Sequence, residues 1–386
     1  MNHQAPKFHR SFLGLAQNKT DVSYWDITLD AYNKKEYKAS FYALLDYINP
    51  QLRKKFGNAD QNYFEIPHGS IVIKIQLLED QIEIHAPFLQ LPSTNVVPIL
   101  RKTAEINFSP LNLATIRLRE EHLEFYFQCK LSTCEPYKMY YVLQEICHTG
   151  DTYDDYFTVR YGATSLQKPM IVPYSAQQAQ QAWNYTYSYI DEALGYVNYF
   201  DSKRWYEMSY DILVIALLKI DYYASPQGHT RNEIEEAITY IRSQNTVYDK
   251  THNCKNILLK IKERGKEAFI TDLYQSEIFI PYKSTLPLSR IQDTWKDEFQ
   301  RALKELDKND HMSATLTIMF NFLYTFYNHF LPENVHSLMV NAMEKASGKT
   351  WNESSKILFE AMKDIMNGNI QTISKRKGFL ASLFGN

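Results

Sequence analysis

Glycine is scarce in this chain: 12 of its 386 residues are glycine, less than half of the usual share of ~7%. Folds that cradle a nucleotide on glycine-rich turns are therefore disfavoured. Residues 347–350 spell Ser-Gly-Lys-Thr, like the end of a phosphate loop, but Met343 stands where that loop needs its first glycine. A phosphate loop also follows a strand, whereas a helix is predicted before residues 347–350. The sequence accordingly predicts no nucleotide and no other cofactor.

Cysteine is also rare, since the chain has four, too few for a disulfide scaffold at this length. Cys129, Cys134 and Cys147 have the spacing C-x4-C-x12-C, and His148 is adjacent to the last of them. Zinc needs four ligands, usually in two close pairs, so we expect structural cysteines and no metal site. The acidic stretch 151–155 lacks the calcium-loop pattern, and it is predicted to be the solvated end of a helix.

The chain has neither a marked excess of charge nor a long apolar run. Its formal net charge is 42 − 44 = −2, so no overall field attracts nucleic acid or an anionic membrane. The longest purely apolar run, residues 212–218, is far short of the ~20 residues that span a bilayer. Residues 1–10 have no apolar core of signal-peptide length. We expect a cytoplasmic protein with no nucleic-acid partner and no stable membrane insertion.

Two different hydrophobic periods are present in the first half of the chain. Alternating apolar residues predict strands, joined by tight turns at 79–81 and 120–122, over residues 63–66, 71–77, 82–88, 114–118 and 123–131. Helical spacing predicts helices, the last with Gly150 as a potential break, over residues 30–49, 93–107 and 135–161. This order predicts an α+β fold, in which an antiparallel sheet carries helices on one face.

Residues 111–131 contain two of these strands and their turn, and a helix with Val142, Leu143 and Ile146 on its apolar side follows. In element order and hydrophobic pattern, residues 25–165 resemble the bacterial sensory-transduction-regulator family, which shares the type III secretion chaperone-like fold. The resemblance implies a chaperone-like or regulatory module that binds peptides or proteins, and it implies no shared chemistry. The long C-terminal extension departs from the small stand-alone members of that family.

Periodicity lapses in residues 161–173, where glycine and proline punctuate the chain. Helical patterns dominate from 175 to 368, and we expect an all-α helical bundle without paired strands there. Ser175 is a predicted N-cap, and Thr230 with Glu233 is a predicted capping box. The predicted organisation is an N-terminal arm at 1–24, an α+β domain at 25–165, a linker at 166–174, a helical domain at 175–368 and a basic, apolar tail at 369–386.

One face of the predicted sheet carries polar side chains at alternate strand positions. Arginine and aromatic residues are enriched at interfaces, so we predict that this face binds an acidic or extended peptide. The alternative is an ordinary solvated sheet face. The candidate partner-binding residues are Lys74, His85, Arg117, Arg119 and Tyr126.

The favoured hypothesis is a non-enzymatic, chaperone-like or regulatory protein that binds a protein or peptide in the bacterial cytoplasm, with homodimer formation left open. The alternative is an enzyme of unknown reaction whose site lies in the cleft between the two domains. No catalytic residue is predicted. The tail at 374–386 is cationic and then apolar, and it leaves four alternatives open: a disordered terminus, docking on its own helical domain, docking in a groove of a partner, or contact with a membrane surface.

Overall fold

An antiparallel sheet lies in the first half of the computed structural model, which describes residues 4–13, 19–167 and 171–370. The strands of this sheet are β1 (Tyr63–His68), β2 (Ile71–Leu77), β3 (Gln81–Gln90), β4 (Thr115–Arg119), β5 (His122–Lys130) and β6 (Thr164–Ser165). Their order is β1-β2-β3-β5-β4, and β6 pairs with the end of β3. The strand segments predicted from alternation are all present, with the two predicted tight turns between them.

Alternation of the side chains decides which face of the sheet is buried. In β2, Ile71, Ile73 and Ile75 are buried, whereas Lys74 between them is half-buried and Gln76 is exposed. Successive side chains of a strand point to opposite faces, so the apolar set of every long strand meets the helices. The other face remains polar, as the alternating pattern predicts.

Five helices accompany the sheet: α1 (Ser23–Asn33), α2 (Tyr37–Ile48), α3 (Leu52–Phe56), α4 (Val96–Phe108) and α5 (Pro136–Tyr161). The single helix predicted over 30–49 is wrong, because the chain turns at Lys35, which has a φ of 63°. Helix α5 continues through Gly150. A Cβ at that position would lie 2.5 Å from the Ile71 side chain, so the glycine permits close packing of helix on strand.

The second half of the chain is mostly helical. Its helices are α6 (Ala176–Ser202), α7 (Tyr206–Ala224), α8 (Gly228–Ile241), α9 (Val247–Thr271), α10 (Leu288–Thr294), α11 (Lys296–Asp307), α12 (His311–Asn328), α13 (Glu333–Ala346) and α14 (Trp351–Asn367). Ser175 caps α6 in a capping box, as predicted. The box predicted at Thr230 is wrong, because α8 begins earlier and the Thr230 hydroxyl donates to Asp272 at 2.6 Å.

Short strand pairs occur where we expected none. They are formed by β7 (Ile171–Pro173), β8 (Tyr274–Ser276), β9 (Ser284–Thr285) and β10 (His329–Phe330). The antiparallel pair β7–β8 ties the predicted linker to the segment after α9, and β9 pairs in parallel with β10. The prediction that residues 175–368 contain no paired strands is therefore wrong, although the α+β class with a following helical region is confirmed.

Two apolar cores are present, one in the sheet domain (α1–α5 and β1–β6) and one in the helical domain (α6–α14). Each core takes residues from outside its own sequence range. Phe279 and Ile280, between β8 and β9, are buried in the sheet-domain core, whereas Ala5 and Phe8 of the N-terminal segment are buried in the helical core. None of the helices in the described ranges is long and apolar enough to cross a membrane.

Candidate functional site

A cavity of about 920 Å³ lies at the junction of the sheet domain and the helical domain. Its walls come from the ends of α2 and α7, from α5, α8 and α13, and from the segments before β9 and around β10. This volume lies within the range of roughly 300–1,000 Å³ that is typical of ligand pockets. The described charged and histidine side chains that line the cavity are Lys19, His148, Asp221, Arg231, Glu235, Arg242, Lys283, His329 and His336.

Positive charge predominates in the cavity wall. Four cationic side chains face two carboxylates there, although the whole chain has a net charge of −2. Arg231 is paired with Glu235 at 2.8 Å, and Lys19 is paired at 2.7 Å with Glu277. The local surplus is therefore concentrated on the remaining cations.

Lys283, like Arg242, is a cavity cation that forms no ion pair with a carboxylate of the described residues. Its ammonium group donates to the backbone carbonyl of Phe326 at 2.8 Å, and among the described residues no carboxylate lies within ion-pairing distance of it. Burial lowers the pKa of Lys283, and the attraction of Asp221 offsets only part of that effect. Burial likewise raises the pKa of Asp221. An ammonium group in this position favours a ligand that brings its own negative charge.

Aromatic rings form much of the remaining wall. They offer flat apolar surface, and the tyrosines add hydroxyl groups that can bond to a ligand. The aromatic side chains lining the cavity are Tyr174, Tyr222, Tyr274, Phe279, Tyr282, Phe326, Tyr327 and Phe330. Such a wall suits a ligand with a flat or apolar part next to its charged group.

A fully buried histidine, His68 at the end of β1, connects the two domains below the cavity. Its Nδ1 atom accepts the backbone N–H groups of Phe279 at 3.1 Å and Ile280 at 3.4 Å. A nitrogen that accepts these bonds carries no hydrogen, so the hydrogen of the neutral ring is on Nε2, which lies 3.3 Å from the Tyr282 hydroxyl. Burial lowers the pKa of His68 to about 3, which keeps the ring neutral at physiological pH.

Tyr282 links the helices of both domains through its hydroxyl and its ring. The hydroxyl donates to Asp151 of α5 at 2.5 Å. The ring stacks on His148 with centroids 4.3 Å apart, and the guanidinium carbon of Arg231 lies 3.7 Å from the ring centre. Because His148 belongs to α5 and Arg231 to α8, this stack fixes one wall of the cavity relative to the other.

His148 has an unused nitrogen. Its Nε2 atom is buried and has no hydrogen-bond partner in the described part of the chain. Burial lowers the pKa of His148 to about 4, so the ring is neutral at physiological pH. A buried polar atom without a partner is costly, and a ligand in the cavity that this residue lines would relieve that cost.

A group of half-buried carboxylates lies beside the ring stack of Tyr282 and His148. Burial, and after it the neighbouring charge of Asp155, raises the pKa of Asp154 to about 8. Asp155 itself has a raised pKa, first from burial and then from the charge of Asp272. The prediction of a solvated helix end at 151–155 is therefore wrong, because α5 continues to Tyr161 and this stretch faces the helical domain.

The structure brings the predicted partner-binding residues together on the solvent face of the sheet. Lys74 lies opposite His85, and His85 lies opposite Tyr126. Arg117 and Arg119 are exposed on β4, at the edge of the same face. This arrangement follows from the strand register, which places directly opposed residues on one side of the sheet.

These face residues pair mostly with one another. Arg117 lies 3.5 Å from the ring centre of Tyr126. The buried carboxylate of Glu124 lies 3.4 Å from Arg119 and 3.8 Å from His85. Lys74 is 3.5 Å from Glu65 on β1. Charges that are satisfied by neighbours across the strands are typical of a solvated sheet face.

No group of three or more side chains with metal-binding chemistry forms within the described residues. Cys147 and Cys254 are buried and unpaired, whereas Cys129 and Cys134 lie next to each other. The tail at 374–386 lies outside the described residues, so the prediction about its docking stays a prediction.

No family model matches the chain, and no curated protein matches it. The functional argument therefore depends on the geometry of the site. The sequence-based reasoning missed His68, Arg231, Tyr282 and Lys283, which come from three distant parts of the chain. The closeness of His148 to the acidic stretch 151–155 in the sequence could have indicated the site, since both lie on α5 and both face the junction of the two domains.

Proposed function

We propose that this protein binds a small anionic molecule with a flat, apolar part in the cavity between its two domains. The observation that carries the proposal is the position of Lys283, a cation in the wall of a 920 Å³ cavity without a carboxylate partner among the described residues. A ligand carboxylate, sulfonate or phosphate would supply the missing counter-charge and would form a charge-assisted hydrogen bond.

Two further contacts would fix such a ligand. The unpartnered Nε2 atom of His148 offers one hydrogen-bonding position, and the aromatic wall offers stacking surface. Because α5 carries His148 while the β9 side carries Lys283, a bound ligand would contact both domains. Binding needs no covalent step, and it would stabilise the folded protein by an amount that grows with the logarithm of the ligand concentration above the dissociation constant.

The enzyme hypothesis drawn from the sequence places its site in this same cleft. The other hypothesis, a chaperone-like or regulatory role in which the sheet face binds a protein or peptide, stays a separate prediction. The side chains of that face pair mostly with one another. The peptide-binding hypothesis therefore has less support than ligand binding in the cavity. The resemblance to the sensory-transduction-regulator family likewise remains an expectation from the sequence.

The test uses 8-anilinonaphthalene-1-sulfonate, an aromatic anion whose fluorescence rises in apolar surroundings. We expect saturable binding to the native full-length chain and competition by small aromatic carboxylates. Lys283→Met retains most of the aliphatic stem but removes the charge, so the dissociation constant should rise at least ~10-fold, as for the loss of a charge-assisted bond. Lys356→Met, at an exposed position of α14, is the matched control and should bind like the wild type.

Partial unfolding also increases fluorescence of this dye, so each variant is first checked by thermal melting. If Lys283→Met lowers stability, Arg242→Gln provides a second removal of positive charge from the cavity wall, where Arg242 bonds to Tyr324 and Asn328. Equal affinity of the wild type and both cavity variants would contradict the proposal, as would the absence of saturable binding.

A further inference from the structure

Two of the four cysteines lie side by side where β5 ends and α5 is about to begin. The Sγ atoms of Cys129 and Cys134 are 3.1 Å apart. A disulfide bond is about 2.05 Å long, so a movement of about 1 Å would bring the two sulfurs to bonding distance. Cys129 is the second-last residue of β5, and Cys134 lies in the short connection between β5 and α5, so a movement of that connection would be local.

Cys129 and Cys134 are more exposed to solvent than the other two cysteines. Cys129 is half-buried, so its side chain is open to small solutes, whereas Cys134 is 4% exposed. Cys147 and Cys254 are both fully buried in separate cores. A small oxidant would therefore meet Cys129 first and would find Cys134 directly behind it.

The surroundings of Cys129 favour its thiolate. The hydrogen bond from Cys134 is the strongest influence, and the Thr133 hydroxyl and the charge of Lys138 act in the same direction, so the pKa of Cys129 is lowered to about 6. The same hydrogen bond and burial raise the pKa of Cys134. The thiol of Cys134 has a second acceptor, the Lys130 carbonyl at 3.3 Å. One thiolate and one thiol in contact are the reactants of disulfide formation.

We propose that Cys129 and Cys134 form a reversible dithiol–disulfide site that is oxidised by peroxides. The Cys129 thiolate attacks a peroxide oxygen, an S–O bond forms and the O–O bond breaks, which gives Cys129 sulfenic acid and releases hydroxide. The Cys134 sulfur then attacks the Cys129 sulfur, the S–S bond forms and the S–O bond breaks. The hydroxyl leaves as water with the Cys134 proton. A dithiol reductant reverses the reaction by exchange.

This site is independent of the interdomain cavity, because neither cysteine lines it. Its position at the start of α5 also separates it from the Tyr282 stack, which contacts α5 at His148 and Asp151. The redox proposal therefore does not depend on anion binding in the cavity, and anion binding does not depend on the redox proposal.

The test is peptide mapping after oxidation of the native full-length chain with hydrogen peroxide. Trypsin cleaves after Lys130, between the two cysteines, so oxidation should join peptides 120–130 and 131–138 through a disulfide. The intact mass should fall by about 2 Da, the mass of two hydrogens. Alkylation under denaturing conditions should label two cysteines instead of four, and treatment with dithiothreitol should restore all four.

Cysteine variants distinguish oxidation at this cysteine pair from unspecific oxidation of any cysteine. Cys134→Ser removes the resolving thiol, so the sulfenic acid of Cys129 should persist and be trapped by dimedone. Cys254→Ser is the matched control, and it should form the linked peptide as the wild type does. Should either serine variant misfold, the linked peptide of the wild type still decides the question. Its absence after peroxide treatment, or equal oxidation of Cys147 and Cys254, would overturn the proposal.

Discussion

The solvent face of the sheet and the cavity between the domains are both rich in charge, yet their charges are arranged in opposite ways. On the sheet face, Arg117 stacks on Tyr126 and Arg119 is near the buried Glu124, and both arginines are exposed to water. In the cavity, Lys283 is half-buried and bonds to a carbonyl instead of a carboxylate. Exposed pairs contribute only about 0–1 kcal/mol, whereas a buried charge without a partner is costly.

This difference shows where function is the better explanation of a polar residue. A paired, wet face is fully explained by solubility and strand pairing. The cavity is lined both by Lys283, which has no carboxylate within ion-pairing distance among the described residues, and by His148, whose Nε2 atom has no partner there. Solubility and strand pairing do not explain such groups, and perturbed groups of this kind cluster at functional sites.

The largest expected effect comes from the core face of the same sheet. Phe125 is completely buried and its ring centroid is 4.9 Å from that of Phe88. Phe125→Ala should lower the free energy of unfolding by about 3–5 kcal/mol through lost burial and a cavity, measured by urea unfolding. Ile116 and Phe127, which are also buried, belong to the same core. Lys130→Ala, an exposed position on β5, is the control and should change stability by at most ~0.5 kcal/mol.

Removal of the buried histidine between the domains should have the next largest effect. His68→Ala would leave the amides of Phe279 and Ile280 without their acceptor, so we expect a loss of about 2–3 kcal/mol. Binding of the sulfonate dye should weaken as well, because the segment carrying Lys283 would lose its anchor. His122→Ala on the solvent face is the control. Equal stability of both variants would mean that the junction does not depend on this bond.

The sheet and most helices could be predicted because their signals are local. Ile71, Ile73 and Ile75 alternate along the strand, and burial of one face follows directly. Helix α9 carried a comparable signal, since Cys254, Ile257, Leu258 and Ile261 have helical spacing, but it was not predicted.

The cavity could not be predicted in the same way. His68, Arg231 and Tyr282 meet only after two domains pack, and no local period relates three such distant positions. Residues 151–155 illustrate why a helix can be predicted from sequence while its burial cannot. The pattern correctly placed these carboxylates on a helix, but the partner that buries them, α8 and its preceding loop, comes from more than 70 residues further along the chain.

The buried carboxylate Asp154 predicts a pH effect of intermediate size. Its pKa is raised to about 8 in the folded protein from an ordinary value of 3.8, so the folded state keeps a proton that the unfolded chain releases. Its stabilising contribution is therefore complete below about pH 4 and is lost as the pH rises towards 8.

Asp154→Asn removes this titration but preserves the shape of the protonated carboxyl group. Relative to the wild type, the variant should gain about 1–3 kcal/mol between pH 5 and pH 8, measured by urea unfolding at several pH values. Protonation of the buried histidines occurs in both proteins and cancels from the difference. Asp60→Asn, at an exposed position, is the control. Parallel pH profiles for the wild type and Asp154→Asn would show that this carboxylate is not buried as described.

The smallest effect concerns the solvent face, where a double-mutant cycle on Arg117 and Tyr126 tests whether the face is occupied by its own contacts. The guanidinium lies 3.5 Å from the ring centre, and exposed cation–π pairs contribute about 0.5–1 kcal/mol. We expect a coupling energy in that range from the stabilities of Arg117→Ser, Tyr126→Ser and the double variant, with each single change costing at most about 1 kcal/mol.

Such a coupling would show that these side chains have each other as partners in solution. A coupling of zero would mean that both are free, and free arginine and tyrosine side chains on one exposed face are the usual anchors of a protein interface. That result would return the functional assignment to the sheet face and would remove the contrast with the cavity.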